Sequence, residues 1–150
     1  LIVSYGNYWE AINLSLKISS DYPAYNEFYH FIAATKYRKN MFLAEERRTE
    51  LKKIISDICK RTDNLELYAI TIAYNHVHIL VQTSQDVSKV GKALFGASSR
   101  DMRQAYSELI TEANKGLWGG TSVKAIKDEN HLQNCLSYIQ RHRPDNTKID

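Results

Sequence analysis

The sequence predicts an α+β domain: a ferredoxin-like, split-βαβ antiparallel sheet with helices packed on it. Three observations point there. Two strand-like runs, Leu65–Ala73 and His76–Thr83, are separated only by Tyr74-Asn75, the spacing of a tight antiparallel hairpin. Two segments with helical periodicity, about Ala44–Arg61 and Val87–Glu112, stand on either side of that pair. A further strand-like stretch lies outside each helix, and a last helix closes the chain, so the order reads β-α-β-β-α-β-α.

Taken in order, residues 1–24 read as an N-terminal extension, in which Tyr8, Trp9, Ile12 and Leu16 suit a short amphipathic helix broken by Ser19 to Pro23. Residues 25–150 read as one domain. Glu27–Thr35 holds Phe28, Tyr29, His30, Phe31 and Ile32 in succession, aromatic and β-branched residues that favour a strand, and it ends in a basic turn, Lys36 to Asn40. In the helix that follows, Leu51, Ile54, Ile55 and Ile58 fall on one face. Asp63-Asn64 is a turn, and the hairpin after it is expected at the centre of the sheet. The next helix carries Val90, Leu94, Met102, Tyr106, Leu109 and Ile110 as its apolar residues, with a bend expected near Gly96 and a stop at Asn114 to Gly116. Leu117–Ile126 is a fourth strand interrupted by Gly119-Gly120. Asp128 is placed to cap the last helix, Glu129 to about Arg143, which Pro144 stops.

Composition bounds the function classes. A chain of 150 residues with 43% apolar and 25% charged residues suits a single globular core, and disorder is not expected. No apolar run is long enough to span a membrane, and the first residues lack the basic start and apolar stretch of a signal peptide. Cys59 and Cys135 are not spaced for a zinc clip or a disulfide framework, so a cytoplasmic location is expected. The formal net charge is only +3, yet basic residues cluster: Lys36, Arg38 and Lys39 around Tyr37, then Lys89, Lys92, Arg100 and Arg103, then Arg141 and Arg143. Such patches suit a polyanion, because each neutralised phosphate releases counterions; a solvated charged face is the alternative.

The segment Asn75 to Val81 carries the most chemistry. Side chains alternate across a strand, so His76 and His78 share one face while Val77, Ile79 and Val81 share the other. At about 7 Å along the backbone, two imidazoles can converge on one ion; a solvated His pair is the other reading. On the last helix, His131, Cys135, Tyr138 and His142 fall in one stripe, with Leu132, Leu136 and Ile139 in a second that looks like the packing face. Docked by that apolar stripe, the helix could hold Tyr138 and His142 over the strand histidines. A phenol, with an ordinary pKa of about 10, needs help to attack a phosphodiester, and a metal ion supplies it.

These residues, with others in the same order and spacing, resemble the small single-tyrosine HUH transposases of the insertion-sequence 200/605 type and their repeat-associated relatives. The His-hydrophobic-His signature reads His76-Val77-His78. The likeness runs from about Phe28 to Arg143 and includes Tyr29-His30-Phe31-Ile32 before Thr35-Lys36-Tyr37-Arg38, Ser98 to Arg100, Leu117-Trp118-Gly119, and Tyr138-Ile139. The resemblance implies an HUH endonuclease fold, Tyr138 as nucleophile, and His76 and His78 as ligands of Mg²⁺ or Mn²⁺. It places the third ligand four residues after the tyrosine, at His142, where several members carry Gln. It implies a homodimer whose sheets join and whose active sites take the tyrosine helix from the same chain or from the partner, acting on single-stranded DNA with hairpins at element ends through a 5′-phosphotyrosine intermediate. Lys36, Arg38, Lys39, Arg100 and Arg103 are the candidates for DNA backbone contacts, and Tyr37 for stacking on an unpaired base. Three rivals remain: a replication-initiating HUH nickase, which the short chain disfavours, a domesticated DNA-binding protein that has lost activity, and an unrelated ferredoxin-like domain with a structural metal or none.

Overall fold

Strand β1, Phe28–Thr35, is the organising element. It pairs antiparallel with β3, His76–Thr83, from Phe28↔Gln82 to Ala34↔His76. On its other side it pairs antiparallel with β4, Trp118–Ala125. β2, Leu65–Ile72, adds to the far side of β3, so the sheet order is β2-β3-β1-β4. The computed structural model describes residues 27–113 and 116–149; the N-terminal extension and its expected helix lie outside the described residues.

The sheet is the antiparallel, split-βαβ type that the sequence predicts, but the hairpin is not its centre. β3 shares the centre with β1, and β2 is an outer strand. The crossover helix between β1 and β2 carries the chain past one position, which β3 then fills between them.

The two sheet faces bury two separate cores. On one, Phe31, Ala33, Ile70, Ile72, Val77, Ile79 and Val81 pack under α1, Glu45–Arg61, and α2, Val87–Ala105, through Leu51, Ile55, Ile58, Val90, Leu94 and Met102. On the other, Phe28, Ala69 and Leu80 pack under α4, Glu129–Arg141, through Leu132, Cys135, Leu136 and Ile139. Burying each such side chain contributes about 1.5–3 kcal/mol, so α4 is firmly seated. A bulge at Tyr68 keeps both halves of β2 on the first core: Leu65 and Leu67 precede it and Ile70 and Ile72 follow it on the same face, although their spacing is out of step.

Three local expectations are corrected. The expected single helix runs unbroken through Gly96 to Ala105, stops at Tyr106-Ser107 and resumes as α3, Glu108–Ala113. Tyr106 turns its N–H back to the Met102 carbonyl (2.8 Å), while Leu109 drops into the core and Arg47 pairs with Glu108 (2.8 Å). The glycine pair does not interrupt β4. Gly119 is instead a bulge residue, unpaired between Ala34↔Gly120 and Thr35↔Trp118. A Cβ at Gly119 would lie 2.9 Å from the Lys36 Cα, so the close backbone approach requires glycine. Finally, α4 ends at Arg141, and His142 is an extended cap (φ −71°, ψ 119°) rather than a helical residue. No helix among the described residues is long and apolar enough to cross a membrane.

Candidate functional site

β3 is buried on both faces, which sets the character of its histidines. His76 is fully buried and His78 is 1% exposed, so this is not a solvated pair. They stand on the α4 face of the sheet, opposite the Val77, Ile79 and Val81 core. His142 joins them from the end of α4. The residues after α4 are tied to the β2–β3 hairpin: Thr71 Oγ1 donates to the His142 carbonyl (3.3 Å), Tyr74 N–H to the Pro144 carbonyl (2.9 Å) and Asn75 Nδ2 to the Thr147 carbonyl (3.4 Å). These bonds hold His142 over β3 although the helix has already ended.

One ligand nitrogen from each of His76, His78 and His142 lies within 4.8 Å of the other two. His76 Nε2 and His142 Nε2 are 3.1 Å apart. Two nitrogens on one ion, with bonds of about 2.1 Å, are separated by about 3 Å, so this pair already has the spacing of neighbouring ligands. His78 Nε2 is the one buried side-chain polar atom among the described residues with no hydrogen-bond partner. Buried polar atoms are nearly always paired, and an imidazole nitrogen without a partner inside a cluster of three is what a bound divalent cation would use. The residues therefore fit the ion that the histidine pattern implies.

The other ring nitrogens are fixed from behind. His76 Nδ1 lies 2.7 Å from Asn75 Oδ1, which can only accept, so the proton sits on Nδ1, and Nε2, which faces His142 Nε2, keeps its lone pair. His78 Nδ1 lies 2.9 Å from His30 Nε2. Both of these histidines are held neutral. Burial, then the neighbouring His30, His76 and His142 rings, push the His78 pKa down to about 2. Burial, then Lys124 and His131, push His30 down to about 4. Neutral imidazoles keep the lone pairs that a cation needs.

Tyr138 stands on α4 one turn before His142. Its half-buried ring lies edge-on to His78 with centroids 5.2 Å apart, and equally 5.2 Å from His142. The phenol and the histidine cluster thus meet within one chain. His131, in the same helical stripe, is instead used locally: its Nδ1 accepts from the Lys127 N–H (3.0 Å). Both cysteines are buried and free, with burial pushing each thiol up to about 12, so neither is a ready nucleophile.

The basic turn follows β1 and is anchored beside β3 and β4. Thr35 N–H donates to the carbonyl of Asn75, the residue before His76, and Lys36 N–H to the Leu117 carbonyl, each at 2.9 Å. Between these anchors and Lys39, Tyr37 and Arg38 are held at φ 59° and 53°, a left-handed conformation costing about 1–2 kcal/mol for each non-glycine residue. The result is a Tyr37 ring 71% exposed, flanked by exposed Arg38 and Lys39 and half-buried Lys36. Arg100 and Arg103 are not brought to this cluster. They lie on α2, which packs on the other sheet face; Arg100 faces Asp101 (3.3 Å) and Arg103 donates to the Ser99 carbonyl (3.1 Å). The Ser98 and Ser99 hydroxyls have a structural use, accepting from the Trp118 indole and the Leu117 N–H, each at 3.0 Å, which pins the start of β4.

His30 and the side chain of Asn75 take no part in the site as the sequence predicts it. The residues themselves were visible, but their partners follow from which strands pair and in what register.

A family model described as "Transposase IS200 like" matches residues 23–142. A crystal structure of a protein from Deinococcus radiodurans R1, provisionally described as a transposase, shares 30% sequence identity and a TM-score of 0.61, covering 77% of this chain and 90% of its own. A REP-associated tyrosine transposase, solved bound to a REP hairpin, shares the fold at a TM-score of 0.57 and 16% identity, covering 79% of this chain and 67% of its own. No curated protein matches at a significant level.

Proposed function

The chain belongs to the IS200-like transposase family, and from that membership we propose that it cuts and rejoins single-stranded DNA, with Tyr138 as nucleophile beside a divalent ion held by His76, His78 and His142. The observation that carries this reading is the bare, buried Nε2 of His78 next to the Tyr138 ring of the same chain.

Tyr138 Oη attacks a backbone phosphorus, and the bond from phosphorus to the 3′ oxygen breaks. The phenol gives up its proton and the departing 3′ oxygen gains one. The products are a 5′-phosphotyrosine and a free 3′ hydroxyl, with bond types and charge conserved, so reversal reseals the strand without ATP. Mg²⁺ or Mn²⁺ at the three histidines would supply Lewis-acid polarisation of the phosphate and offset the charge of the transition state. His76 and His78 present their nitrogens from a rigid central strand, and α4 carries both Tyr138 and the residues that lead to His142. Nucleophile and ligand are therefore set in relation to one another by a single buried helix.

The DNA partner in this reading is single-stranded and folded into a hairpin, the kind of ligand bound by the REP-associated relative. Lys36, Arg38 and Lys39 contact its backbone, and Tyr37 stacks on an unpaired base. Arg100 and Arg103 contact backbone further from the cleavage point. Two copies join as a homodimer through the outer edge of β4, which pairs with no further strand among the described residues.

Incubation with single-stranded hairpin DNA and Mn²⁺, resolved on a denaturing gel, tests the reading. Cleavage that needs metal and is lost in the double variant His76→Ala, His78→Ala is the expected result; cleavage that survives in EDTA would remove the metal from the mechanism.

A further inference from the structure

Two imidazoles facing each other nitrogen to nitrogen at hydrogen-bond distance share a single proton, and its owner decides what His78 can do. His30, on β1, and His78, on β3, have His30 Nε2 and His78 Nδ1 2.9 Å apart, with ring centroids 5.1 Å apart and tilted by 33°. If His30 donated, neutral His78 would carry its own proton on Nε2. That N–H would be buried with nothing to accept it, since Nε2 has no hydrogen-bond partner. If His78 donates from Nδ1, its Nε2 keeps a lone pair, on a ring that is one of the three in the histidine cluster. The second arrangement leaves no donor stranded. It also repeats on His78 what Asn75 Oδ1 does to His76, where an atom that can only accept holds the proton on Nδ1.

We propose that His30 is a positioning residue of the metal centre: it accepts the Nδ1 proton of His78, and so fixes both the tautomer and the ring angle that aim His78 Nε2 at a divalent cation. The proposal rests on the metal reading above but concerns a residue outside the three-histidine cluster. β1 presents His30 on the sheet face that also carries His78: His30 is opposite Leu80, and the next residue on that face, Ile32, is opposite His78. A central strand therefore braces its neighbour's ligand, and the backbone pairing of β1 and β3 sets the distance between the two rings.

The test reads the proton directly. Long-range ¹H–¹⁵N correlation on histidine-labelled, metal-free protein distinguishes an Nδ1–H from an Nε2–H ring, and wild-type His78 should be protonated on Nδ1. His30→Leu should show both His78 tautomers and bind Mn²⁺ about 10-fold to 100-fold more weakly. His30→Gln, whose amide oxygen can accept the same proton, should recover most of that loss. A wild-type His78 protonated on Nε2 would overturn the proposal, as would a folded His30→Leu protein that binds Mn²⁺ as tightly as wild type. Should His30→Leu fail to fold, the wild-type spectrum and His30→Gln still decide. Wild-type protein with the Nδ1–H tautomer but no Mn²⁺ affinity would remove the metal reading while leaving the hold of His30 on His78 in place.

Discussion

A buried nitrogen without a partner, such as His78 Nε2, costs about 1–3 kcal/mol, so at the scale of single residues the site is a local weakness until something occupies it. Mn²⁺ at one hundred times its dissociation constant should then stabilise the fold by about 2.7 kcal/mol. A thermal melt should show a rise in Tm that EDTA reverses, and the double variant His76→Ala, His78→Ala should show none. Tyr138→Phe removes one oxygen from a half-buried ring and leaves the histidines alone. It should abolish covalent attachment to DNA, while DNA affinity measured by fluorescence anisotropy stays within about threefold of wild type, since the proposed mechanism uses the hydroxyl in the chemical step and not in the contacts with DNA. Tyr138, His76, His78 and His142 are legible in the sequence because strand alternation and helical spacing group them without any tertiary information. His30 is not, because its partner lies 48 positions away and depends on which strand lies beside β1.

At the scale of elements, the basic turn is the part of the fold that local preference would not choose. Two successive left-handed residues persist because Thr35 and Lys36 are tied to Asn75 and Leu117, and because Gly119 lets β4 close against Lys36. Gly119→Ala should therefore destabilise by about 1–3 kcal/mol in urea denaturation, because the new Cβ meets backbone atoms that cannot step aside. Lys36→Ala with Arg38→Ala should weaken DNA binding at all sequences and flatten its salt dependence; an unchanged slope would take this turn off the DNA path. The sequence marks Gly119-Gly120 as irregular, yet whether a glycine breaks a strand or bulges it is decided by the partner strand. In the same way, Gly96 was the local candidate for a bend in α2, but the break falls at Tyr106, where the turn lets Leu109 reach the core.

Across the whole molecule, burial in the sheet holds His30 and His78 neutral, and this couples folding to pH. The pKa of His30 falls to about 4 and that of His78 to about 2 in the folded chain, against an ordinary 6.5 when unfolded. Between pH 6.5 and 4 the unfolded chain thus binds more protons at both groups. Stability should fall as pH drops through that window, by up to about 1.4 kcal/mol per pH unit for each group. Above pH 6.5 neither contributes a slope, and below pH 4 the His30 share stops growing. Urea denaturation of metal-free protein at several pH values checks this, and His30→Gln should lose its share of the slope. The α+β class, the strand count and the packing stripe of α4 are legible in the chain because they follow from periodicity. The strand order is not, since the position of β3 between β1 and β2 is settled by the crossover and not by any local run. What binds these scales together is a phenol and three imidazoles that meet inside one chain. Peptide mass mapping of the protein–DNA adduct tests that most directly: the account predicts a 5′-phosphonucleotide on the peptide that carries Tyr138, formed only with metal present. An adduct on any other residue, or one that persists in Tyr138→Phe, would contradict it.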